Sequence, residues 1–214
     1  AIFAIDWTSE EFDPPEEQPV MERHPYSHSE HGNIVQVLPS GPGYTTMPNL
    51  RVFNDMIYAA TKRLIVVSPY FVPDESMLVA ITSAAYAGVR VELYVNEESD
   101  QFMVGHAQQS YYQELLDAGV IIYRYPAPKI LHSKFMVVDD EIAVFGSSNM
   151  DMRSFVLNYE ITLLATNGSI VPRLVDIANE YRELSSELTA EQWKQRPWGQ
   201  RYLDSVFRLT SALV

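Results

Sequence analysis

Two glycines, each placed between a helical stretch and a strand, constrain the fold of this chain more than any other feature. The tripeptide Ala-Gly-Val follows an amphipathic stretch and precedes a run of β-branched residues twice, at Gly88 and at Gly119. Glycine adopts the left-handed backbone conformation that ends a helix at little cost. A helix that ends this close to the next strand is typical of βαβ units. The repeat therefore predicts parallel strands joined by helices.

Hydrophobic spacing predicts the other elements of the fold. We expect an α/β domain with a mixed, largely parallel β-sheet flanked by helices on both faces. Asp74 is expected to cap the second helix. Strands are predicted at 34–38, 64–68, 89–95, 120–125 and 159–165, a β-hairpin at 133–138 and 142–145, and helices at 49–61, 75–87, 102–118 and 170–184, with helical pieces over 190–213 that break at Pro197.

The first part of the chain differs in composition from the rest. Residues 1–31 contain eight acidic side chains, four prolines and a single base, Arg23. This composition predicts the end of a preceding domain followed by an acidic connector, with the main domain at 32–214. Its histidines could bind a metal, but a loop without a fixed scaffold favours solvated side chains instead; these histidines are His24, His28 and His31.

Charge and composition exclude several classes of function. The formal net charge of −13 at pH 7 disfavours binding of nucleic acid through bulk positive charge. The chain has no cysteine, which excludes disulfides and thiolate chemistry. No run of about 18 apolar residues is present, so we expect no transmembrane helix. Because the chain starts at Ala1 in the middle of an apolar pattern, we expect it to be a fragment of a longer protein.

The predicted hairpin carries the clearest chemical signal. It reads His-x-Lys-x4-Asp, at His132, Lys134 and Asp139, and is followed after six residues by Gly146-Ser147-Ser148-Asn149. On a strand, side chains two residues apart share one face, so the imidazole and the ammonium form a small electropositive site. The alternative is a solvated hairpin with these residues present by chance, which so many fixed offsets disfavour.

The residue types in this hairpin describe a site for a phosphoryl group. Lys134 supplies positive charge, and the Ser147 hydroxyl and Asn149 amide can donate to anionic oxygens. No acidic cage for a metal accompanies them. His132 can then act as a nucleophile or as a general acid and base.

Several longer stretches resemble one known family. The hairpin motif resembles the signature of the phospholipase D superfamily, and the wider chain is similar to the C-terminal catalytic half of bacterial cardiolipin synthases. The resemblance spans nearly all of 33–214, and its opening residues AIFAIDW are similar to the end of the first half. The stretches that carry it are VQVLPSGPG (35–43), SPYFVPDE (68–75), SYYQELLDAGVIIYRY (110–125) and LHSKFMVVDDEIAVFGSSNMDMRSFVLNYEI (131–161).

The resemblance implies a role for each motif residue. His132 corresponds to one of two active-site histidines, the one usually given the acid–base part, while the other attacks phosphorus. Lys134 would hold phosphate oxygens, assisted by Ser147 and Asn149. Arg153 would add a phosphate contact or be an exposed helix residue.

Two acidic residues complete the implied catalytic set. Glu160 stands where the family has an acid that accepts a hydrogen bond from the distal nitrogen of the histidine, which would fix its tautomer. Asp139 lies at the hairpin turn and is expected to brace the interface between the two halves.

The implied activity is transfer of a phosphatidyl group between two phosphatidylglycerol molecules, giving cardiolipin and glycerol through a phosphohistidine, without cofactor or metal. The chain contains one His-x-Lys, so the missing N-terminal half or a second copy of the chain would be its partner, and we expect the isolated half to be inactive. The resemblance implies a bacterial cell membrane, with anchoring segments outside this chain and a soluble fragment. A phosphodiesterase or nuclease acting as a homodimer and a non-catalytic interaction domain remain as alternatives.

Two regions outside the hairpin permit a second interpretation. Asp100 and His106 lie near a helix start, where a surface role is favoured over catalysis. The C-terminal segment is rich in aromatic residues and arginine and could lie at a membrane interface, although packing of a terminal helix on the sheet is favoured. Its residues are Trp193, Arg196, Trp198, Arg201, Phe207, Arg208 and Leu209.

Overall fold

The structure is a computed structural model that describes residues 32–44 and 46–209. The predicted connector at 1–31 lies outside the described residues. The domain boundary and the interpretation of His24, His28 and His31 therefore stay predictions.

The described residues form two β-sheets. The strands are β1 Ile34–Ser40, β2 Arg63–Val67, β3 Phe71–Val72, β4 Arg90–Asn96, β5 Ile121–Tyr125, β6 Phe135–Val138, β7 Ile142–Gly146, β8 Met150–Asp151, β9 Glu160–Thr166 and β10 Ser186–Leu188. Eight of them form a mixed sheet at the centre of the domain, in the order β1-β9-β7-β6-β2-β4-β5-β10, and β3 and β8 form a separate two-stranded sheet. The helices are α1 Pro48–Ala59, α2 Glu75–Tyr86, α3 Phe102–Gln109, α4 Tyr112–Ala118, α5 Ile170–Leu184, α6 Ala190–Lys194 and α7 Trp198–Arg208, with a π-helical turn at Arg153–Leu157.

Parallel pairing is present where the βαβ units were predicted. Strands β2, β4 and β5 pair in parallel, and Gly88 and Gly119 adopt left-handed conformations at the preceding helix ends. The pairs β1–β9, β9–β7, β7–β6, β6–β2 and β5–β10 are antiparallel. The predicted mixed α/β fold is confirmed, with parallel pairs a smaller share of the sheet than expected because the hairpin and its neighbours add antiparallel strands.

Both faces of the sheet are covered by helices. Along β2, Leu64 and Val66 belong to the apolar cluster that includes α1 and α2, whereas Ile65 and Val67 belong to the cluster that includes α5. All four side chains are fully buried. Because successive side chains of a strand point to opposite faces, this alternation places helices on both sides, as predicted.

Most predicted helices agree with the structure, but the single helix predicted over 102–118 is wrong. It is divided into α3 and α4 at Ser110 and Tyr111. The Ser110 hydroxyl donates to the Ala107 carbonyl at 2.6 Å, a local bond that competes with regular helix geometry. At the same point the buried Gln108 accepts the backbone N–H of Phe71 at 2.8 Å, which ties the helix end to β3.

The C-terminal helices pack on α3 around a buried carboxylate. Asp204 of α7 is 2% exposed, accepts Arg196 at 2.5 Å and lies 2.7 Å from the His106 ring nitrogen. The terminal helix therefore packs on α3 and not on the sheet as predicted, and the partly buried His106 is one of its partners. Within residues 32–44 and 46–209, no helix combines the length and apolarity needed to cross a bilayer.

The hairpin turn is fixed to the rest of the sheet by the Asp139 carboxylate. It accepts the backbone N–H groups of Thr61, Lys62 and Arg63 at 2.9, 2.7 and 2.8 Å, and the Thr61 hydroxyl at 2.7 Å. Burial opposes its ionisation, but these hydrogen bonds outweigh it and lower the pKa of Asp139 to about 2. Asp139 thus holds the start of β2 to the end of β6 within one domain.

Replacing Asp139 by Asn should destabilise the chain in a pH-dependent way. A depressed pKa stabilises the folded state above the ordinary value of 3.8, and this contribution is lost as the pH falls through about 2. We expect Asp139→Asn to lower the free energy of unfolding by about 1–3 kcal/mol at pH 7, and the difference from the wild type to shrink below pH 4. Urea unfolding followed by circular dichroism measures both.

Asp140→Asn is the matched control, because this neighbour is half-exposed and its ion pair with Arg63 spans 3.5 Å. It should change stability by less than about 0.5 kcal/mol. A destabilisation by Asp139→Asn that is equal at pH 7 and pH 2 would contradict the assigned role of the charge.

Candidate active site

His132 and Lys134 lie together just before β6, which begins at Phe135 and not at 133 as predicted. The Lys134 ammonium nitrogen lies 3.3 Å from each ring nitrogen of His132 and donates to the His132 carbonyl at 2.9 Å. His132 is exposed, whereas Lys134 is partly buried. The structure therefore brings an accessible imidazole into contact with a positive charge, in the arrangement the motif predicts.

Burial and the charges of two carboxylates act on the Lys134 ammonium. Burial lowers the pKa of Lys134, and the charges of Glu160 and Asp151 act in the opposite direction. Both acids are largely buried, at 8% and 5% exposure. Their negative charges therefore offset part of the effect of burial on the protonated form of Lys134.

Gly146 lets strand β9 approach the site closely. Its N–H donates to the Lys134 carbonyl at 3.2 Å, and the N–H of Ser147 donates to the Ile161 carbonyl at 3.1 Å. A Cβ atom at Gly146 would collide with the same Ile161 carbonyl oxygen. Only glycine allows this approach, which sets the position of Ser147 against β9.

Glu160 is bonded to Ser147 and not to His132. Its carboxylate accepts the Ser147 hydroxyl and the Asn158 amide, the latter at 3.3 Å. Among the described residues, no hydrogen bond or ion pair joins Glu160 to the imidazole. Strand β7 lies between β6 and β9 in the sheet, so Glu160 faces the end of β7 instead of His132. The predicted Glu160–His132 bond is thus wrong for this structure.

The same contact changes the expectation for Ser147. Its hydroxyl hydrogen is directed to Glu160, and its oxygen accepts the N–H of Ile161 at 3.0 Å. The hydroxyl is therefore used within the strand pair, which differs from the expected donation to a phosphate oxygen.

Asp139 is not brought to the site. It follows the last residue of β6, whereas Lys134 precedes the first, so the length of the strand separates them. Its hydrogen bonds go to the start of β2. Asp139 positions the hairpin and does not belong with His132 and Lys134 as a group that touches substrate.

Asp151 is the residue of this site to which the motif gave no role. Burial raises the pKa of Asp151, whereas hydrogen bonds from the backbone and side chain of Ser154 and from the side chain of Asn149 lower it. The Ser154 N–H donates to Asp151 Oδ1 at 2.7 Å. The short β3–β8 pair, in which Asp151 lies opposite Val72, fixes the position of this acid. In the sequence, the one signal was its position two residues after Asn149.

A cleft of about 630 Å³ lies next to Asn149 and Asp151. One wall is polar and includes Asn149, Asp151 and the exposed Arg153. Arg153 thus lines the cleft while remaining solvent-exposed, as both interpretations of it allowed. The other wall is formed by Tyr70 and the start of α3, where Phe102, Met103 and Val104 supply apolar surface.

The sequence matches one family and its members. A family model described as "Cardiolipin synthase, PLD-like domain" matches residues 53–183. Cardiolipin synthase A of Pectobacterium carotovorum subsp. carotovorum (strain PC1) is 37% identical over 217 aligned residues, and that of Yersinia pseudotuberculosis serotype O:1b (strain IP 31758) is 36% identical. Each alignment covers 100% of this chain and 44% of the relative. The chain thus spans less than half the length of these curated relatives.

Solved structures with low sequence identity share the fold. The phospholipase D family member Nuc from Salmonella typhimurium has a TM-score of 0.62 at 16% identity, covering 74% of this chain and 99% of that chain. Phosphatidylserine synthase of Haemophilus influenzae Rd KW20 has a TM-score of 0.66 at 18% identity, covering 85% of this chain and 48% of that chain. One copy of the fold accounts for nearly all of the first protein and about half of the second.

Removing the Ser147 hydroxyl should destabilise the chain through Glu160. Ser147→Ala leaves a buried carboxylate with Asn158 as its remaining side-chain donor, so we expect a loss of about 1–3 kcal/mol in the free energy of unfolding. Glu160→Gln should lower the free energy of unfolding less in the Ser147→Ala variant than in the wild type, because both changes remove the same interaction. Urea unfolding of the two single variants and the double variant measures the coupling.

Ser83→Ala is the control, since Ser83 is exposed on α2 and should tolerate the change within about 0.5 kcal/mol. Strictly additive effects of the Ser147 and Glu160 substitutions would contradict the assigned contact.

Proposed function

This chain belongs to the PLD-like domain family of cardiolipin synthases, and on that premise we propose that it supplies one half of an active site for phosphatidyl transfer. In the proposed reaction two phosphatidylglycerol molecules give cardiolipin and glycerol through a phosphohistidine. The observation that carries the proposal is the contact between the exposed His132 imidazole and the Lys134 ammonium. The name of the curated relatives supports a phospholipid substrate.

Lys134 is proposed to hold the phosphodiester. Its ammonium neutralises non-bridging oxygens, and the nearby charges of Glu160 and Asp151 favour its protonated form. The Asn149 amide is a second candidate donor, whereas Ser147 and Glu160 are proposed to fix the geometry of the strand ends. No metal or cofactor has a role in this proposal, because Lys134 supplies the positive charge.

His132 is proposed to act as the general acid and then as the general base. A histidine on the opposite side attacks phosphorus, and the bond from phosphorus to the leaving glycerol oxygen breaks as His132 gives that oxygen a proton. In the second step the acceptor hydroxyl attacks phosphorus, the phosphorus–nitrogen bond breaks, and His132 takes the hydroxyl proton. One imidazole cannot occupy both sides of an in-line displacement, so a second histidine is required.

The second histidine is proposed to come from a complementary half. The coverage of 44% of the curated relatives supports this source, since more than half of each relative lies outside the match. The membrane surface is the proposed location of the assembled enzyme. The exposed side chains of Trp198 and Tyr202 on α7 and of Leu209, which follows it, support this location, because such residues are typical of helices at lipid interfaces.

A homodimeric phosphodiesterase is the second candidate function. It is favoured by the likeness to Nuc, whose whole chain is nearly covered by one copy of this fold. In that case two copies of His132 would face each other. The net charge of −13 disfavours a nucleic-acid duplex as its substrate, because the phosphates would meet repulsion.

The two candidates predict different activity for the chain alone. Under the first, the chain should release no glycerol from phosphatidylglycerol vesicles, and addition of a complementary half with its own His-x-Lys motif should produce cardiolipin. His132→Ala should abolish this product, because it removes a group that transfers protons in both steps. Mass spectrometry of the lipids measures the cardiolipin formed, and light scattering measures the mass of the protein complex.

The exposed Asp117→Asn serves as the control that should retain activity. Turnover by a monomer of the chain would contradict both candidates. Turnover by a homodimer would replace the first with the second.

A further inference from the structure

The C-terminal helix α7 turns a charged residue toward the domain. Its Asp204 is 2% exposed, lies 2.7 Å from His106 Nδ1 and accepts a hydrogen bond from Arg196 at 2.5 Å. Phe207, one turn away, is partly buried and stacks on the His106 ring, with the ring centroids 5.4 Å apart. A buried carboxylate is stable only beside such polar partners, so these contacts fix which side of the helix faces the domain.

The apolar residues of α7 face solvent instead. The exposed fractions are 82% for Trp198, 65% for Tyr202, 39% for Val206 and 85% for Leu209, which follows the helix. Residues at this spacing share one side of a helix, and the sequence repeats the spacing at Leu213, outside the described residues. A helix on the surface of a domain normally buries its apolar side and exposes its polar side. The reversed arrangement in α7 leaves a surface that suits an apolar partner.

Exposed apolar surface continues from α7 to the start of α3. The rings of Phe102 and Phe207 meet edge to face, with their centroids 5.6 Å apart. Phe102 is 67% exposed, and the next residue, Met103, is 45% exposed. Both side chains also line the cleft to which Asn149 and Asp151 contribute. The apolar surface therefore extends from the C-terminal helix to the rim of the cleft.

The chemistry and the size of this surface favour a lipid bilayer over a protein partner. Trp and Tyr are the side chains that proteins place at the boundary between lipid and water, because each combines an apolar ring with a polar group. The 11 residues of α7 make it about 16 Å long and about 10–12 Å wide. One side of it therefore offers roughly half or less of the about 800 Å² that each partner buries in a stable protein interface.

We propose that the exposed side of α7, together with Phe102 and Met103, is a membrane-contacting surface that inserts its apolar side chains among the lipid headgroups. The net charge of −13 gives no attraction to an anionic bilayer, so the binding comes from apolar insertion. The inference rests on the proposed function for its purpose, since it places the cleft beside the bilayer that contains a phospholipid substrate. The buried Asp204 cluster acts as the clamp that holds the apolar side of the helix outward.

Vesicles of phosphatidylcholine, which carry no net charge, test the surface. Sedimentation of the chain with these vesicles measures the bound fraction. We expect saturable binding of the wild type that persists in about 0.5 M salt, because salt screens charges and not apolar insertion. Tyr202→Ser and Leu209→Ser should each weaken the binding by about 10-fold or more, as expected when a large apolar side chain is no longer buried. Tyr86→Ser is the matched control, because it removes a tyrosine of α2 that is 73% exposed, and it should bind like the wild type.

Brominated acyl chains, which quench the fluorescence of nearby indole rings, locate the contact. Phosphatidylcholine with such chains should quench the wild-type protein in the bound state. Trp198→Phe should keep most of the binding and lose most of the quenching, because Trp193 is 5% exposed and packs inside the domain. Full quenching in the bound Trp198→Phe variant would place the contact elsewhere and overturn the inference.

The other outcomes separate this inference from the proposed function. A wild-type chain that does not bind the vesicles, or that loses its binding in high salt, overturns the inference, as do folded serine variants that bind like the wild type. If those variants bind vesicles normally but no longer associate with a complementary half in light scattering, the surface is a protein interface and the inference fails. Cardiolipin formation by the assembled enzyme in detergent micelles tests the proposed function without a bilayer. Because the wild-type measurements stand alone, a variant that does not fold does not remove the test.

Discussion

The backbone pairing of β6 with β7, fixed at both ends, is the constraint on which the site depends. At the turn, the Asp139 carboxylate accepts hydrogen bonds from three backbone N–H groups at the start of β2. At the open end, the Gly146 N–H bonds to the Lys134 carbonyl, and β9 approaches Gly146 closely. A strand held at both ends presents Lys134 and His132 in one place. Precise placement of a cationic group matters because electrostatic stabilisation is strongest when the group needs no reorganisation.

The second constraint is the distribution of charge around Lys134. The charges of two largely buried carboxylates, Glu160 and Asp151, act on the ammonium, and the two acids have different surroundings. Glu160 is satisfied by Ser147 and Asn158, so it belongs to the framework of the strand ends. Asp151 borders the cleft, and its partners are the backbone and side chain of Ser154 and the side chain of Asn149. The difference between two acids of similar burial therefore comes from their partners.

The sequence was sufficient for most elements of the fold. The helix at Ile170–Leu184 has the predicted bounds, and Asp74 caps α2 by accepting the N–H of Met77. Periodicity could not reveal the break at Ser110, because it depends on the contact between Gln108 and the distant β3. The two-residue strands β3 and β8 are too short for any pattern to detect.

For the candidate site, the sequence was sufficient for the contact of His132 with Lys134 but not for the environment of that pair. The two residues are separated by a single position in the chain, so local geometry can bring them together, although the segment that contains them precedes β6 instead of forming part of it. The partner of Glu160 depends instead on strand order, and the place of Asp151 depends on pairing with residues about 80 positions earlier. The most direct test of the whole account is an NMR titration of the His132 imidazole with glycerophosphoglycerol, the soluble phosphodiester headgroup of phosphatidylglycerol. The account predicts a saturable shift that Lys134→Gln abolishes; no shift, or the same affinity in that variant, would contradict it.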